Sequence, residues 1–412
     1  MIIEFLGGSD EIGRESFLVE SLDTKVLLDY GVKLHPELEI PLLPPKKLDG
    51  IFISHAHLDH AGMTPFIYKT QSPKLYTTST TLELMNLLVE DYVKVAKLTR
   101  EYSEYSPYDI KKMNRNFVAC NYNKQFKIGN LEAKLFNASH IPGSASIFLW
   151  GDKKILYTGD INTRPTYLVD YKPIDYPKVD CLMIESTYSE REHPDRKKEE
   201  ERFINKIKDS GGLVLIPTFA VGRAQEILLM LYKDGISNIY LDGMAQKASD
   251  IILYHKSSIK APKTLKEVLK KIKFVRTRKQ RDRVLKRGGI VVTTSGMLNG
   301  GPIVYYLKKA RDRRDACLLF TGFQVEGTPG EKLLRTKVFE NEEEKFKVNL
   351  EIEKFDFSAH AGRSELLELI KKINPKKVIC VHGDHTRKFA REIENGLRIE
   401  AIAPRIDDKV EV

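Results

Sequence analysis

Cysteine is scarce in this chain. There are four in 412 residues, Cys120, Cys181, Cys317 and Cys380, and no two are close enough to form a metal knuckle or a redox motif. That argues against a disulfide-stapled scaffold and leaves the thiols as small buried hydrophobes of a reducing, cytoplasmic setting. No run of 18 uncharged apolar residues occurs, and Met1-Ile2-Ile3-Glu4-Phe5 leads straight into a Gly-rich turn without the basic and apolar regions of a signal peptide. Neither a spanning helix nor a membrane partner is therefore expected. Acidic residues are outnumbered, 57 Asp and Glu against 67 Lys and Arg, and the net charge of +10 suggests an anionic partner. The length is large for one core, and a hydrophobic content of 42% is enough for two globular domains.

Histidine is also scarce, yet three of the ten fall within His55-Ala56-His57-Leu58-Asp59-His60. The preceding residues, Leu48 to Ser54, form a short apolar run rich in β-branched and aromatic side chains, the pattern of a buried strand. Four potential ligands thus leave one strand end together. Imidazole and carboxylate suit a dication such as zinc, and alternation on a loop directs His55 and His57 to one ion and Asp59 and His60 to another. Ligation by His and Asp without Cys favours an open, catalytic site over a closed structural one, so the stretch reads as a two-metal hydrolase centre.

Further carboxylates and histidines stand at strand ends. Residues 1–30 read as hairpin material closing at Asp29, a candidate to orient a ligand histidine. After the metal loop, 62–69 and 80–102 have helical periodicity. The strand 131–136 leads to His140, the hairpin strand 154–157 to Asp160, and the strand 181–184 to Glu185. Collecting side chains from several strand ends on one rim is how a scaffold assembles a site.

In order and spacing, Asp29, the His55–His60 motif, His140 and Asp160 resemble the successive motifs of the metallo-β-lactamase superfamily. Glu185-Ser-Thr, Phe357-Ser-Ala-His360-Ala and Val381-His382-Gly-Asp384 resemble the three additional motifs of the β-CASP nucleases. That group includes ribonuclease J and the nuclease of the cleavage-and-polyadenylation factor. Ile216-Pro-Thr-Phe-Ala-Val-Gly-Arg-Ala-Gln-Glu226 and Ser295-Gly-Met-Leu-Asn-Gly-Gly-Pro302 are similar to inner signatures of the same family. The chain looks most like the short archaeal form of the cleavage-factor nuclease, lacking KH-type domains.

The resemblance implies an α/β fold, a metallo-β-lactamase αββα sandwich with an inserted β-CASP domain. The expected limits are 1–187 and 346–412 for the sandwich and 188–345 for the insertion. Within the insertion, helices over 194–209 and 223–233 alternate with strands over 212–216, 239–241 and 290–293, the mark of a parallel sheet. Function is expected in the cleft between the domains. Basic residues concentrate in the insertion. Lys260 to Arg287 sets many Lys and Arg against only Glu267 and Asp282, and Lys308 to Arg314 adds a second patch, together a candidate polyanion track.

Carried over by resemblance, His55, His57 and His140 would hold one zinc and Asp59, His60 and His382 the other, with Asp160 bridging the two ions. His360 would be the general acid for the leaving 3′-oxygen and Glu185 its partner. The expected reaction is hydrolysis of RNA to 5′-phosphate and 3′-hydroxyl ends, endonucleolytic or 5′→3′ exonucleolytic. In this family a histidine at the position of His382 accompanies RNA-directed members, which disfavours a DNA nuclease. A small-molecule hydrolase would not need the basic insertion or the Glu185/His360 pair. The expected partners are single-stranded RNA and, as a homodimer, a second copy of the chain. His35, His193 and His255 are expected to be structural or exposed, and His385 a supporting residue at most.

Overall fold

The computed structural model describes all residues, 1–412. The chain divides into two units, the first made of Met1–Pro165, Tyr171–Glu192 and Ala359–Val412, the second of Thr166–Asp170 and His193–Ser358.

In the first unit two seven-stranded sheets face each other. One runs in the order Lys409–Glu411, Ile2–Gly7, Ser16–Ser21, Thr24–Leu28, Gly50–Phe52, Lys74–Thr77, Phe117–Ala119. The other runs Glu400–Ile402, Lys377–Val381, Cys181–Glu185, Lys154–Tyr157, Ala145–Trp150, Leu131–Asn137, Gln125–Ile128. Alternation of side chains along each strand sends Ile3, Phe5, Phe17 and Val19 of the first sheet against Leu135, Ile147, Tyr157 and Met183 of the second, forming one core. Phe17 meets Phe5 and Tyr157 edge-on at 5.6 and 5.4 Å between centroids, contacts that add about 1 kcal/mol each to simple burial. The opposite parity of the second sheet, including Leu182, Ile184 and Val378, packs on the helices Arg363–Ile373 and Thr386–Leu397 through Leu366, Ile370 and Phe389. This is the expected layering of helices outside paired sheets.

Three strands of the second sheet, Lys377–Val381, Cys181–Glu185 and Lys154–Tyr157, lie side by side and parallel, so their C-terminal ends open on one rim. Four strand exits turn through left-handed backbone, at Asp29 (φ +59°), Ser139 (φ +59°), Gly159 (φ +54°) and His382 (φ +51°). Three of these are not glycine, a conformation that persists only where surrounding contacts impose it. Gly31 is needed for a different reason: a Cβ there would lie 1.6 Å from the Asp59 carbonyl oxygen.

The second unit holds a six-stranded, wholly parallel sheet in the order Lys273–Val275, Ile239–Asp242, Gly289–Thr293, Leu213–Pro217, Ala316–Phe320, Glu351–Lys354. Its central strand Leu213–Pro217 is buried at every position, as a parallel strand covered on both faces must be. A small antiparallel pair, Val338–Glu340 with Lys345–Lys347, completes it.

The structure departs from expectation at the domain limits. Residues 346–358 belong to the second unit, because Glu351–Lys354 pairs with Ala316–Phe320 and Phe346, Val348 and Leu350 join that unit's core. Phe355 and Phe357 likewise pack edge-on against Phe203. An apolar strand pattern states that a segment is buried in a sheet, not in which sheet. Asp59 and His60 also lie not on an open loop but in the short helix Leu58–Ala61, which His57 leads into.

Candidate metal centre

All nine residues expected from sequence to bind metal or move protons, and Asp29 with them, lie in the first unit, on the rim where its strands end. His55 follows the strand Gly50–Phe52, His140 follows Leu131–Asn137, Asp160 follows Lys154–Tyr157, Glu185 ends Cys181–Glu185, and His382 follows Lys377–Val381. The register pairing Glu185 with Val381 sets Glu185 beside the turn that carries His382.

The rings are tied from behind. His60 Nδ1 lies 2.8 Å from Asp29 Oδ2, His382 Nδ1 2.6 Å from Glu15 Oε1, and His140 Nδ1 2.7 Å from the Ala359 carbonyl oxygen. Each partner is an acceptor, so each Nδ1 carries the proton and each Nε2 presents its lone pair to the rim. The Ser54 hydroxyl donates to Asp29 Oδ2 at 2.7 Å and so accepts from His55 Nδ1 at 3.1 Å, which leaves His55 Nε2 as a lone pair too. Asp29 is the hub of this layer, accepting also from the Ser54 backbone N–H at 2.7 Å and the Tyr157 hydroxyl at 2.8 Å. Tyr157 thereby links the core between the sheets to the site, its ring packed against Phe17.

The free lone pairs converge. His55 Nε2 lies 3.1 Å from His57 Nδ1, which is 3.3 Å from His140 Nε2, and both Nε2 atoms approach Asp160 Oδ2, at 3.4 and 3.5 Å. On the other carboxylate oxygen, Oδ1, His60 Nε2 and His382 Nε2 close in to 3.2 and 3.3 Å. Asp160 Oδ1 and His60 Nε2 are buried and neither makes a hydrogen bond. Buried acceptors turned toward one another without a proton between them are costly unless a cation sits among them. Two ligand sets built on the buried histidines, His55, His57, His140, Asp160 and His60, Asp160, His382, share the one carboxylate, and a third group, Asp160, Glu185, His360, includes it as well. Asp59 groups instead with His55 and His60. The donor chemistry, nitrogen and carboxylate oxygen without sulfur, fits zinc at an open site.

Burial pushes His55, His57 and His140 below the usual imidazole range, which keeps them neutral and able to ligate. At His60, His382 and His360 burial acts the same way, but neighbouring carboxylates outweigh it and raise all three rings above their ordinary value, Asp160 with Asp29 at His60, Asp160 with Glu15 at His382, and Glu185 with Asp160 at His360. His360 Nδ1 lies 2.9 and 3.1 Å from the two Glu185 oxygens, while its Nε2 stands 3.9 Å from Asp160 Oδ2, outside hydrogen-bond reach. Its side chain is 18% exposed where those of His55, His60, His140 and His382 are at most 4%. Glu185 is fixed in turn by the Ile161 backbone N–H at 2.8 Å.

Sequence reasoning missed Glu15, wholly buried and the partner of His382 across 367 positions. The only trace of it was a carboxylate set against the apolar strand Ser16–Ser21. Of the remaining histidines, His193 pairs with Asp356 at 3.1 Å and the exposed His385 with Glu190 at 3.0 Å, and neither belongs to a ligand set.

Residues 224–333 match the β-CASP domain model, 345–404 the Zn-dependent metallo-hydrolase RNA specificity domain, and 8–189 the anti-Pycsar protein Apyc1 model. "Probable RNase MJ4" of Methanocaldococcus jannaschii is 41% identical, covering 100% of both chains. "RNase aCSPSF2" of Saccharolobus solfataricus is 36% identical over 98% of this chain and 83% of its own length. Transcription termination factor FttA of M. jannaschii is 32% identical over 100% and 71%. A crystal structure of a protein of unknown function from Enterococcus faecalis V583 shares the fold, with a TM-score of 0.65 at 16% identity over 100% of this chain and 99% of that one. With relatives of this identity matched end to end, the chain belongs to the β-CASP family of metallo-β-lactamase-fold ribonucleases.

Proposed function

We propose that the chain hydrolyses single-stranded RNA at a two-zinc centre, leaving 5′-phosphate and 3′-hydroxyl ends, in a reducing cytoplasm that suits its four buried free thiols. The observation that carries this reading is the pair of ligand sets sharing Asp160. His55, His57 and His140 would hold one ion, His60 and His382 the other, with Asp59 beside His60 and Asp160 between. The chemistry that two zinc ions held by these residues would supply is activation of water near neutral pH and neutralisation of phosphoryl charge.

The chain's own residues do the rest. Asp29 and Glu15 hold His60 and His382 in the tautomer that ligates. Glu185 holds His360 by Nδ1 and sustains its imidazolium, so that Nε2–H is the proton available to the departing 3′-oxygen, which as an alkoxide would be a poor leaving group. His360, partly exposed as His57 also is, lies open to substrate.

The test is digestion of one RNA labelled at its 5′ end and carrying either a monophosphate or a triphosphate, before and after exhaustive chelation. Cleavage that stops on chelation and returns with zinc is expected. The product ladder separates internal cleavage from 5′→3′ decay. Full activity in a preparation free of transition metal would remove the two-metal reading.

A further inference from the structure

The excess positive charge of the chain lies in one place. Between Lys260 and Arg287 there are thirteen Lys and Arg against two acids, a net of +11 where the whole chain carries +10, so all other residues together carry −1. Twelve of these thirteen cations are exposed. Arg281 alone is ion-paired, with Asp242 at 2.7 Å.

The second basic patch expected from sequence behaves differently. Lys308 pairs with Glu344, Arg311 with Asp312 and Arg313 with Asp315. Elsewhere in the same unit Arg202 and Lys206 are matched by Glu199, Glu351 and Glu353. Lys309 and Arg314 of the second patch are exposed and form no ion pair, so the contrast is one of degree: three of five cations are matched there and one of thirteen in the stretch 260–287.

The charges are also ordered. On the helix Arg278–Arg287, where only Val284 is buried, Lys279, Arg283, Lys286 and Arg287 recur at the spacing of one helical side. Lys263, Lys266 and Lys270 do the same on Pro262–Lys271. The first helix packs on Pro302–Ala310 and the second on Arg223–Lys233, and the edge strand Lys273–Val275 joins them. Lysine on an edge strand guards a sheet against pairing with another copy, but Lys273 alone meets that need; the others stand on the two helices or, as Lys260 and Arg276 do, just outside them. Planar groups are interleaved: Arg278 lies over the Tyr305 ring at 5.3 Å and Arg276 over Phe274 at 5.7 Å. Unpaired cations in rows beside aromatic platforms are what a flexible, stacked polyanion requires.

We propose that this basic edge is a sequence-independent binding surface for single-stranded RNA, separate from the metal centre, none of whose residues lies in this unit. The proposal rests on the ribonuclease reading for its choice of polyanion. Contacts here touch no reacting atom, so they lower KM for long RNA and leave kcat unchanged.

The test compares the full-length protein with a variant carrying Lys279→Gln, Arg283→Gln, Lys286→Gln and Arg287→Gln, all exposed positions. Binding of a long single-stranded poly(U) is measured across a salt series in the His360→Ala background. Loss of four phosphate contacts should lower the slope of log K against log salt by about 3, and a mixed-sequence RNA should respond alike. A second variant, Lys263→Gln with Lys266→Gln and Lys270→Gln, should lower it by about 2. With His360 restored, KM for long RNA should rise and kcat stay constant. An unchanged slope in both variants overturns the proposal. So does wild-type binding to phosphatidylserine vesicles that these substitutions abolish while RNA binding is untouched. Because binding is read without cleavage, the two readings fail separately. A salt slope that obeys the prediction in a protein that cleaves nothing with zinc present keeps the surface and removes the hydrolase; cleavage with an unaltered slope does the reverse.

Discussion

Replacing Glu15 by Gln isolates one interaction on which the second ligand set depends. The Glu15 carboxylate is fully buried, and its Oε1 stands 2.6 Å from His382 Nδ1, a charge-assisted contact shorter than a neutral hydrogen bond. The ring turned by this contact presents Nε2 3.3 Å from Asp160 Oδ1. Gln keeps the volume but removes the charge, and its amide can present N–H₂ to Nδ1, which favours the wrong tautomer. Loss of a carboxylate behind a metal-binding imidazole weakens metal affinity by roughly 10- to 100-fold, or about 1.4–2.7 kcal/mol. The cost should fall on one ion only, since His55, His57 and His140 are held by Ser54 and Ala359 and by one another. Zinc per chain, titrated against a chromophoric chelator, should show one tight site at wild-type affinity and one weakened, and added zinc should restore cleavage. A Gln variant that keeps both sites at full affinity would show that Glu15 does not position His382. Loss of both together with a fall in thermal midpoint would show that it merely supports the fold.

Two further substitutions separate proton donor from ligand. The His360→Ala protein should keep both metals and its RNA affinity while losing about two to four orders of magnitude in turnover, whereas His382→Ala should lose or loosen one metal. If the two outcomes were interchanged, the roles would be exchanged, with Glu185 supporting a ligand. In the second unit, burial works against the charge of Asp356, but His193 and the Ser358 N–H outweigh it and hold the carboxyl at about 2. A carboxyl depressed on folding stabilises the protein above its unfolded pKa of 3.8 and loses that contribution as pH falls through about 2. Asp356→Asn should therefore cost roughly 2 kcal/mol of unfolding free energy at pH 7 and about half that at pH 3. Equal losses at both pH values in urea titrations would mean that the carboxylate's charge plays no part.

The residues that converge on the rim were legible in sequence because a strand end is a local event. An apolar run breaking at His55, Asp160 or Glu185 announces both the strand and the side chain it delivers. Asp29 was legible for the same reason, and it orients His60 as anticipated. What local pattern does not carry is which side chain stands behind which. Glu15 meets His382 only because Ile2–Gly7 and Ser16–Ser21 lie in one sheet while Lys377–Val381 lies in the other, and the His382 backbone N–H bonds the Gly8 carbonyl at 3.0 Å across them.

The same distinction explains the displaced domain limit and the fate of the second basic patch. Residues 347–352 have the alternation of a strand, but the sheet that Glu351–Lys354 joins is decided by Ala316–Phe320, more than thirty positions earlier. Lys308, Arg311 and Arg313 read as a charged cluster, yet whether a cation is available to a ligand depends on the carboxylate that reaches it. Glu344 reaches Lys308 from the turn of the small antiparallel pair. Charge counted along the chain overstates a binding surface wherever folding supplies counter-charges. The stretch 260–287 is informative because folding supplies one for a single residue, Arg281, and leaves the remaining cations to solvent or to a polyanion.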